Sequence, residues 1–282
     1  MNKRILLIGA SGFIGRHLYK ILKLYYDVIG VGFKHVYSPI VYSDVTKYKM
    51  VKQDILGYKP DFIIFAAGNK DLKASYRDLY RDNVVPVKNI YKVISKYNLK
   101  TKVIFLSTDA VFDGQCGWNY DSLLPYPVSN YGKTKFLAEQ ALEPHPVHFG
   151  LSNPVDYRII RTSAVIGEGS LFLSWLLESF KSYNSFAVYA NRFLSPTSIE
   201  LLTKSIVYLI DNWDKVRQPI IHICGKRMSR YEFSCLVKKA GDFKSNVCKD
   251  LYNAPCDSSI IPSDIQKKIK YKPMEQYLKE IL

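Results

Sequence analysis

The sequence predicts an α/β fold in which a parallel sheet is covered by helices on both faces. Two observations support this prediction. Short apolar runs alternate with helical patterns over residues 1–162, and a glycine-rich turn joins the first run to the first helix. After residue 162 the alternation loosens into helices and short extended pieces. We therefore expect a doubly wound domain over 1–162 and a smaller mixed, substrate-binding lobe over 163–282, some of whose segments can return to the first domain.

The elements of the first domain follow from apolar runs bounded by polar residues, glycine or proline. These runs predict strands at residues 3–8, 28–32, 40–42, 62–66, 102–106 and 157–161. An apolar stripe predicts a helix over 12–24, and helical patterns fill the other gaps. Residues 73–97 read as helical on both sides of Pro86, which lacks an N–H and is expected to start a new turn or kink the helix.

The second lobe has longer helical patterns. They predict helices at 171–183, 199–212 and 230–240, with an extended piece at 220–223. Trp175 lies on the apolar stripe of the first of these helices, which favours a core or dimer contact over a sugar platform. The loop 143–155 carries no functional assignment.

Composition sets the broad class of protein. The chain has 282 residues, 48% of them hydrophobic, which is enough to bury a substantial core. The apolar run at 5–10 is too short and too broken for a signal peptide or a membrane span, so we expect a cytoplasmic protein without a membrane partner. Five scattered cysteines without C-x-x-C spacing indicate neither a disulfide framework nor a metal site.

The net charge of +15 raises the question of nucleic acid. The lysines alternate with apolar residues, as they do at 267–272, in the way expected of solvated helix faces. No RNA-binding or zinc-finger signature accompanies them, so we expect no nucleic-acid partner. Excess positive charge also attracts anionic cofactors and substrates that carry a diphosphate.

The glycine turn indicates a dinucleotide site of the Rossmann type. In GASGFIG, Gly9, Gly12 and Gly15 allow a tight turn, the approach of a pyrophosphate and close packing of the helix. The alternative is a turn that serves packing alone. The cofactor contacts expected around the turn are Ser11, Phe13, Ile14 and Arg16.

The end of the second strand bears on the choice of cofactor. An NAD site usually has an acidic residue there for the ribose 2′-hydroxyl, but this chain reads VGFKH. Lys34, His35 and Arg16 can instead meet a 2′-phosphate, so we predict a preference for NADPH over NADH.

Further cofactor contacts are expected at two later strand ends. Asp44 and Val45, in SDVT, follow the third strand and are placed to approach the adenine. The small residues of FAAG lie where the cofactor backbone would cross the end of the fourth strand. The residues expected there are Ala66, Ala67 and Gly68, and Asn69 and Lys70 after them are placed to face a substrate.

Tyr131 and Lys135 lie four residues apart in SNYGKTKF, on a helix predicted to run to about Leu142. Residues four apart share a helix face, and a nearby positive charge lowers the pKa of a phenol. The pair can therefore serve proton transfer. The alternative is an ordinary surface pair, since the chain has 22 tyrosines and 40 lysines and arginines.

Further motifs, in order along the chain, resemble the extended short-chain dehydrogenase/reductase family and, within it, dTDP-4-dehydrorhamnose reductases. They are LSTDAVFDG (106–114), SNYGKTK (129–135), RTSAVIG (161–167), SPTS (195–198), IHICGKRMSRYEF (221–233) and PCDSSI near residue 255. The resemblance implies that Tyr131 protonates the carbonyl oxygen as hydride arrives from the nicotinamide, that Lys135 lowers the Tyr131 pKa and binds the nicotinamide ribose, and that Thr108 bonds the substrate carbonyl.

Departures from the pattern bear on the substrate. Ala110 stands after Asp109 where sugar-nucleotide 4,6-dehydratases have glutamate, which argues against a dehydratase. Ala164 replaces a tryptophan of the rhamnose-type reductases, and residues 191–194 replace their Asp-Gln-x-Gly. Asp109 and Arg192 are expected substrate contacts, the latter for a diphosphate.

The sequence thus predicts an NADPH-dependent reductase of a nucleotide-activated 4-keto-6-deoxy sugar or a related keto sugar, with a homodimer allowed. Two alternatives stay open. One is a nucleotide-sugar epimerase with tightly held NAD(P), and the other is a regulatory subunit that keeps the cofactor fold without catalysis.

Overall fold

The computed structural model describes residues 3–34, 36–71, 73–143, 155–254 and 256–282. These residues form two compact units. The first unit comprises Met1–Val111, Pro125–Ile160 and Arg217–Ile220, and the second comprises Phe112–Leu124, Arg161–Val216 and Ile221–Leu282. The chain therefore passes from the first unit to the second three times, after residues 111, 160 and 220, and it returns to the first unit twice.

The strands, in chain order, are β1 (Arg4–Ile8), β2 (Asp27–Gly32), β3 (Val41–Tyr42), β4 (Phe62–Phe65), β5 (Lys102–Thr108), β6 (Tyr157–Thr162), β7 (Val165–Ile166), β8 (Ser185–Tyr189), β9 (Arg192–Leu194), β10 (Thr197–Ser198), β11 (Ile220–Ile223), β12 (Met228–Ser229), β13 (Asn246–Asp250) and β14 (Cys256–Asp257). The helices are α1 (Phe13–Leu22), α2 (Tyr48–Tyr58), α3 (Tyr76–Asn83), α4 (Val85–Lys96), α5 (Asn130–Leu142), α6 (Leu171–Ser182), α7 (Ile199–Asp211), α8 (Arg230–Ala240) and α9 (Met274–Ile281).

A central sheet has seven strands among the described residues, in the order β11-β6-β5-β4-β1-β2-β3. The pairs β1–β2, β1–β4, β2–β3 and β4–β5 are parallel. The order reverses direction at β1, as in doubly wound folds, where ligands bind beside the carboxyl ends of the strands. The predicted α/β fold with a parallel sheet is confirmed.

The core of the first unit explains why its strands are continuous apolar runs. All four residues of β4 are buried, because helices cover a parallel sheet on both faces. The cluster around them includes Leu6, Phe65, Phe105 and Ile90. Burial of such side chains contributes about 1.5–3 kcal/mol each.

Two helix starts position the site. The helical segment predicted over 73–97 is divided at Val84, and α4 has Pro86 in its first turn, where no N–H is needed. Helix α5 begins after Ser129, whose hydroxyl accepts a hydrogen bond of 3.0 Å from the Gly132 N–H. An ideal Cβ on Gly132 would lie 2.0 Å from the Ala110 carbonyl oxygen, so only glycine lets α5 start this close to the end of β5.

The second unit contains α6 to α9 and short strands that the sequence pattern did not predict. Strand β9 lies between β12 and β14, and β8 pairs with β13 in parallel. The Ser229 and Glu232 side chains form a reciprocal cap at the start of α8. Within the described parts of the chain, no helix is long and apolar enough to cross a membrane.

Candidate active site

The glycine turn forms a cradle of bare backbone at the end of β1. Gly9 has a φ of +87°, and an ideal Cβ there would lie 2.7 Å from the Ala67 N atom. An ideal Cβ on Gly15 would lie 2.0 Å from the Gly9 carbonyl oxygen, so α1 packs directly against the turn. Gly12 is the N-cap of α1, and no capping side chain accepts a hydrogen bond from the N–H groups of the first helical turn. These N–H groups are therefore left directed at the glycine turn.

The neighbouring predicted contacts Phe13 and Ile14 are half-buried, and Arg16 is exposed on the first turn of α1. These placements agree with a surface that a dinucleotide can reach. A pyrophosphate at a helix N-terminus is stabilised by the N–H groups and the helix dipole.

The end of β2 lacks a carboxylate. The Ser11 hydroxyl donates a hydrogen bond of 2.9 Å to the Lys34 carbonyl oxygen and fills the space where a side chain at Gly32 would lie. Phe33 is half-exposed and packs near Tyr42, with ring centroids 5.9 Å apart. Lys34 is exposed there, whereas His35 lies outside the described residues. This strand end therefore presents the exposed Lys34 and no carboxylate among its described residues.

Asp44 follows β3 and forms a turn of its own. Its Oδ1 accepts bonds of 3.1 Å from the Thr46 N–H and 2.6 Å from the Thr46 hydroxyl. Val45 packs against the core of the unit, and the Asn89 amide donates to its carbonyl at 3.1 Å. The Asp44 carboxylate therefore stabilises the loop. It would keep this structural role if it also contacted an adenine.

Asn83 on α3 organises the loop after β4, and sequence reasoning missed it. Its Oδ1 accepts a 2.7 Å bond from the Asn69 N–H, and its amide donates to the Asn69 carbonyl at 2.9 Å and to the Thr134 hydroxyl at 3.0 Å. Thr134 in turn donates to the Tyr131 carbonyl at 2.9 Å. This chain of bonds ties the loop of Ala66, Ala67 and Gly68 to the first turn of α5.

The two predicted substrate residues of that loop differ in their surroundings. The Asn69 side chain donates to Asp82 at 3.0 Å and accepts from the Asp71 N–H at 2.9 Å, so it also holds the loop. Lys70 is exposed. Of the two, Lys70 has the side chain that can move toward a ligand.

Thr108 and Tyr131 meet at the carboxyl end of β5. Thr108 is buried, and its hydroxyl donates to Asp109 Oδ1 at 3.0 Å and accepts from the Ala110 N–H at 3.2 Å. Burial raises the pKa of the half-buried Tyr131 to about 12, the Asp109 carboxylate adds to the rise, and a hydrogen bond with Thr108 opposes it. This direction is opposite to the one expected from the sequence.

The position of the Lys135 ammonium explains why the Tyr131 pKa is raised and not lowered, because this ammonium is hydrogen-bonded to β5. Nζ donates a 2.7 Å hydrogen bond to the Leu106 carbonyl and lies 4.0 Å from the centre of the Phe105 ring. The side chain is 4% exposed, and burial lowers the Lys135 pKa to about 7, while the Glu139 carboxylate opposes this shift. The residue is one turn from Tyr131, as the i,i+4 spacing requires.

Glu139 is a second residue that sequence reasoning missed. It is buried on α5 one turn after Lys135, and its Oε1 accepts a 2.5 Å hydrogen bond from the Ser107 hydroxyl. The sequence contains a signal for Glu139, since a glutamate four residues after Lys135 lies on the same helix face.

Arg192 belongs to the second unit. It begins β9, and its guanidinium carbon lies 4.8 Å from the centre of the Tyr252 ring. That stacking is typical of arginine and leaves its N–H edges for other partners. The other predicted site residues lie in the first unit, at the carboxyl ends of β1 to β5 or at the starts of α1 and α5.

The second unit has a cavity of about 500 Å³, a size typical of small-molecule sites. Its wall includes Phe172, Trp175, Tyr189, Arg230 and Asp250. Trp175 is 46% exposed there and stacks on Phe172, so it lies outside the core. A core position was one of the two predicted for it, beside a dimer contact. Among the described residues, no group of three or more His, Cys, Asp or Glu side chains could hold a metal ion.

Comparison with known proteins matches residues 3–269 to the RmlD substrate binding domain. Methionine adenosyltransferase 2 subunit beta of Xenopus laevis is 26% identical over 277 residues, which cover 93% of this chain and 79% of that protein. The dTDP-4-dehydrorhamnose reductase of Aggregatibacter actinomycetemcomitans is 27% identical over 273 residues, covering 93% of this chain and 85% of that protein. The crystal structure of a Bacillus anthracis dTDP-4-dehydrorhamnose reductase in complex with NADP has a TM-score of 0.83 at 23% identity, covering 100% and 99% of the two chains.

The parallel sheet, the glycine turn and the Thr108, Tyr131 and Lys135 group define a Rossmann-fold protein of the extended short-chain dehydrogenase/reductase type. The chain belongs to the RmlD substrate-binding domain family. The family resemblance seen in the sequence is thereby confirmed. One of these relatives is named as dTDP-4-dehydrorhamnose reductase and another as subunit beta of methionine adenosyltransferase 2.

Proposed function

We propose that this protein is an NADPH-dependent reductase of a nucleotide-activated keto sugar, of the 4-keto-6-deoxy type. The observation that carries the proposal is the placement of Thr108, Tyr131 and Lys135 together at the end of β5. The glycine turn lies at the same edge of the sheet, at the end of β1. The relative from Aggregatibacter, named as dTDP-4-dehydrorhamnose reductase, supports the substrate class.

The residues present fit a bound NADPH. The cradle at Gly9 and Gly15 has no room for a Cβ, and the exposed Lys34 and Arg16 offer positive charge beside a strand end without a carboxylate. NADPH, when bound, supplies the hydride. A preference for NADPH over NADH remains part of this proposal.

Tyr131 donates the proton in this scheme. A phenol with a pKa of about 12 keeps its proton at neutral pH, so it is present as the acid that a developing alkoxide needs. The Thr108 hydroxyl bonds the same oxygen and stabilises its growing negative charge. Lys135 lies one helical turn away, and in this proposal its ammonium binds the nicotinamide ribose.

Arg192 serves the anionic part of the substrate in this proposal. An arginine stacked on an aromatic ring is oriented to bind a diphosphate with its free edge. The cavity beside Trp175 and Arg230 has the volume and the aromatic wall to accept a nucleoside.

The test is to incubate the protein with NADPH and a panel of nucleotide 4-keto sugars, to follow the loss of absorbance of the reduced cofactor, and to identify the product. We expect stoichiometric oxidation of NADPH with reduction of the ketone. An epimerase would convert a nucleotide sugar without net consumption of NADPH, and that result would replace the reductase with the epimerase.

A regulatory subunit is a second candidate, favoured by the similarity to methionine adenosyltransferase 2 subunit beta. It predicts cofactor binding without turnover of any keto sugar, and a Tyr131→Phe variant with unchanged biological activity. A cytoplasmic location, a homodimer and the absence of nucleic-acid and membrane partners also belong to the proposal. Fractionation, sedimentation and binding assays test them.

A further inference from the structure

Helix α4 presents a row of three lysines to solvent. Lys88, Lys92 and Lys96 are exposed and lie four residues apart, so they share one face of the helix at intervals of about 6 Å. The other side of α4 packs into the core through residues such as Ile90. Residues 83–108 contain no Asp or Glu, so α4 supplies no counter-ion for this lysine row.

A tyrosine ring lies near the ammonium group of each lysine in the row. The distances from Nζ to the ring centre are 5.4 Å for Lys88 and Tyr80, 5.1 Å for Lys92 and Tyr48, and 5.9 Å for Lys96 and Tyr97. Lys52 of α2 lies 5.4 Å from the Tyr97 ring as well. None of the ion pairs among the described residues includes these four lysines. An aromatic ring orients an ammonium group without cancelling its charge, so the row keeps its charge for a partner.

The first unit has a cavity of about 310 Å³ beyond the end of this row. It lies between the turns that follow α2 and α4, at the amino ends of β4 and β5. The glycine turn and the Thr108 group lie at the carboxyl ends of the strands, so the cavity is not part of the candidate active site. Its apolar wall is formed by Ile55, Leu56, Pro60 and Leu99.

The polar groups in the cavity wall already have partners within the protein. The Thr101 hydroxyl donates a 2.9 Å hydrogen bond to the Pro60 carbonyl, and Asp61 Oδ2 accepts one of 2.7 Å from the Arg4 N–H. The cavity therefore suits an apolar group better than a polar one. Two exposed lysines, Lys59 and Lys100, complete its wall and extend the positive charge of the row to the cavity.

Together these features fit a partner that carries several anionic groups and one bulky apolar group. A polypeptide supplies both, and carboxylates four residues apart on a helix repeat at the same interval of about 6 Å as the lysine row. A nucleic acid supplies phosphates but no apolar side chain, and the acyl chains of a membrane lie below its head groups. A second copy of this chain would bring a net charge of +15 toward a positive surface.

We propose that the lysine row and the adjoining cavity form a docking face for an acidic polypeptide segment. One bulky apolar side chain of the segment occupies the cavity, and carboxylates of the segment contact Lys88, Lys92 and Lys96. Charge on such a face raises the rate of association and makes the affinity depend on salt. The inference goes beyond the proposed function and does not depend on it, because the cavity lies at the opposite edge of the sheet from the glycine turn.

The test measures the fluorescence anisotropy of a fluorescein-labelled helical peptide that has glutamates four residues apart and a leucine near one end. A matched peptide carries glutamine in place of each glutamate. We expect the glutamate peptide to bind at least about tenfold more tightly, and its affinity to fall about tenfold between roughly 0.05 and 0.3 M salt. Equal affinities of the two peptides would overturn the proposal.

Charge reversal in the lysine row tests where the peptide binds. Lys92→Glu should weaken the binding of the glutamate peptide about tenfold, because a repulsion replaces an attraction. Lys23→Glu is the matched control, since Lys23 at the end of α1 is also exposed and lies 5.8 Å from the centre of the Tyr19 ring. It should change the affinity by less than about twofold. Equal losses in the two variants would mean attraction to the net charge alone and would overturn the docking face.

Replacing the leucine of the peptide by serine tests the cavity. This change should weaken binding to the wild-type protein about tenfold. It should weaken binding to Leu56→Asn by less than about twofold, because that variant has already lost part of the apolar wall. Equal losses for the two proteins would contradict the role of the cavity. If Leu56→Asn does not fold, the wild type decides, since equal affinities for the leucine and serine peptides would also overturn the proposal.

Other partners and the reductase activity are tested separately. If an RNA oligonucleotide or vesicles of anionic phospholipid bind more tightly than the peptide, and Lys92→Glu abolishes that binding, the acidic polypeptide is the wrong partner. Lys92→Glu should leave the NADPH dissociation constant and any reduction of a keto sugar unchanged. Peptide binding by a chain that reduces no sugar would support the docking face and contradict only the proposed function.

Discussion

Replacing Gly15 by alanine tests whether the glycine turn is as closely packed as the structure indicates. An ideal Cβ there would lie 2.0 Å from the Gly9 carbonyl oxygen and 2.7 Å from the Gly9 carbonyl carbon. Ordinary contacts between carbon atoms are about 3.5–4.0 Å, so α1 and the turn must separate by more than about 1 Å. Such overpacking costs about 1–3 kcal/mol, and the upper end applies because the obstacle is backbone.

The assay measures the urea midpoint and the NADPH dissociation constant of each variant. We expect a loss of about 2–3 kcal/mol for Gly15→Ala, together with at least about tenfold weaker binding of NADPH. Gly57→Ala on α2 is the matched control, because nothing lies within 4 Å of its ideal Cβ, and it should gain about 0.5–1 kcal/mol. Equal stabilities for the two variants would refute the reasoning.

Three further outcomes follow. Asn83→Ala leaves the half-buried Asn69 N–H and carbonyl without this partner, so it should lower the free energy of unfolding in urea by about 1–3 kcal/mol and lower kcat. An unchanged free energy of unfolding would contradict the linking role of Asn83. Lys34→Glu should weaken the binding of NADPH by about tenfold or more and leave the dissociation constant of NADH within about threefold, as measured by fluorescence titration. Equal losses of affinity for the two cofactors would mean that Lys34 does not meet the 2′-phosphate. His222 is fully buried and its pKa is lowered to about 4 by burial and by Arg161, so the folded state resists its protonation. Stability should fall by roughly 3 kcal/mol as the pH drops from 6.5 to 4, and His222→Gln should lack that part of the slope.

Local features of the sequence predicted the parts of the fold that depend on local physics. The glycine turn follows from the backbone freedom of three residues, and the break before Pro86 follows from its missing N–H. The strands of the central sheet are continuous apolar runs because both faces are covered. The strands β7, β9, β10, β12 and β14 span only two or three residues, so they carry no periodic pattern and depend on distant partners.

The sequence indicated candidate site residues, and the structure adds interactions between them that their spacing does not indicate. Asn83 was missed because its partners Asn69 and Thr134 are 14 and 51 positions away. The direction of the Tyr131 pKa was wrong because a lysine side chain is long enough to bond elsewhere, and Lys135 reaches the Leu106 carbonyl instead of the phenol. The i,i+4 spacing fixes which face a residue lies on, but not where its terminal group goes.

The central claim is that Tyr131 completes a hydride transfer to a sugar ketone. The most direct measurement is a single turnover with NADPH deuterated at the transferred position of its nicotinamide and a nucleotide 4-keto sugar, followed by mass spectrometry and NMR of the product. We predict one deuterium on the former carbonyl carbon per cofactor oxidised, and a loss of at least about a hundredfold in rate for Tyr131→Phe at an unchanged NADPH dissociation constant. Deuterium transfer at the wild-type rate in Tyr131→Phe, or oxidation of the cofactor with no deuterium in the sugar, would contradict it.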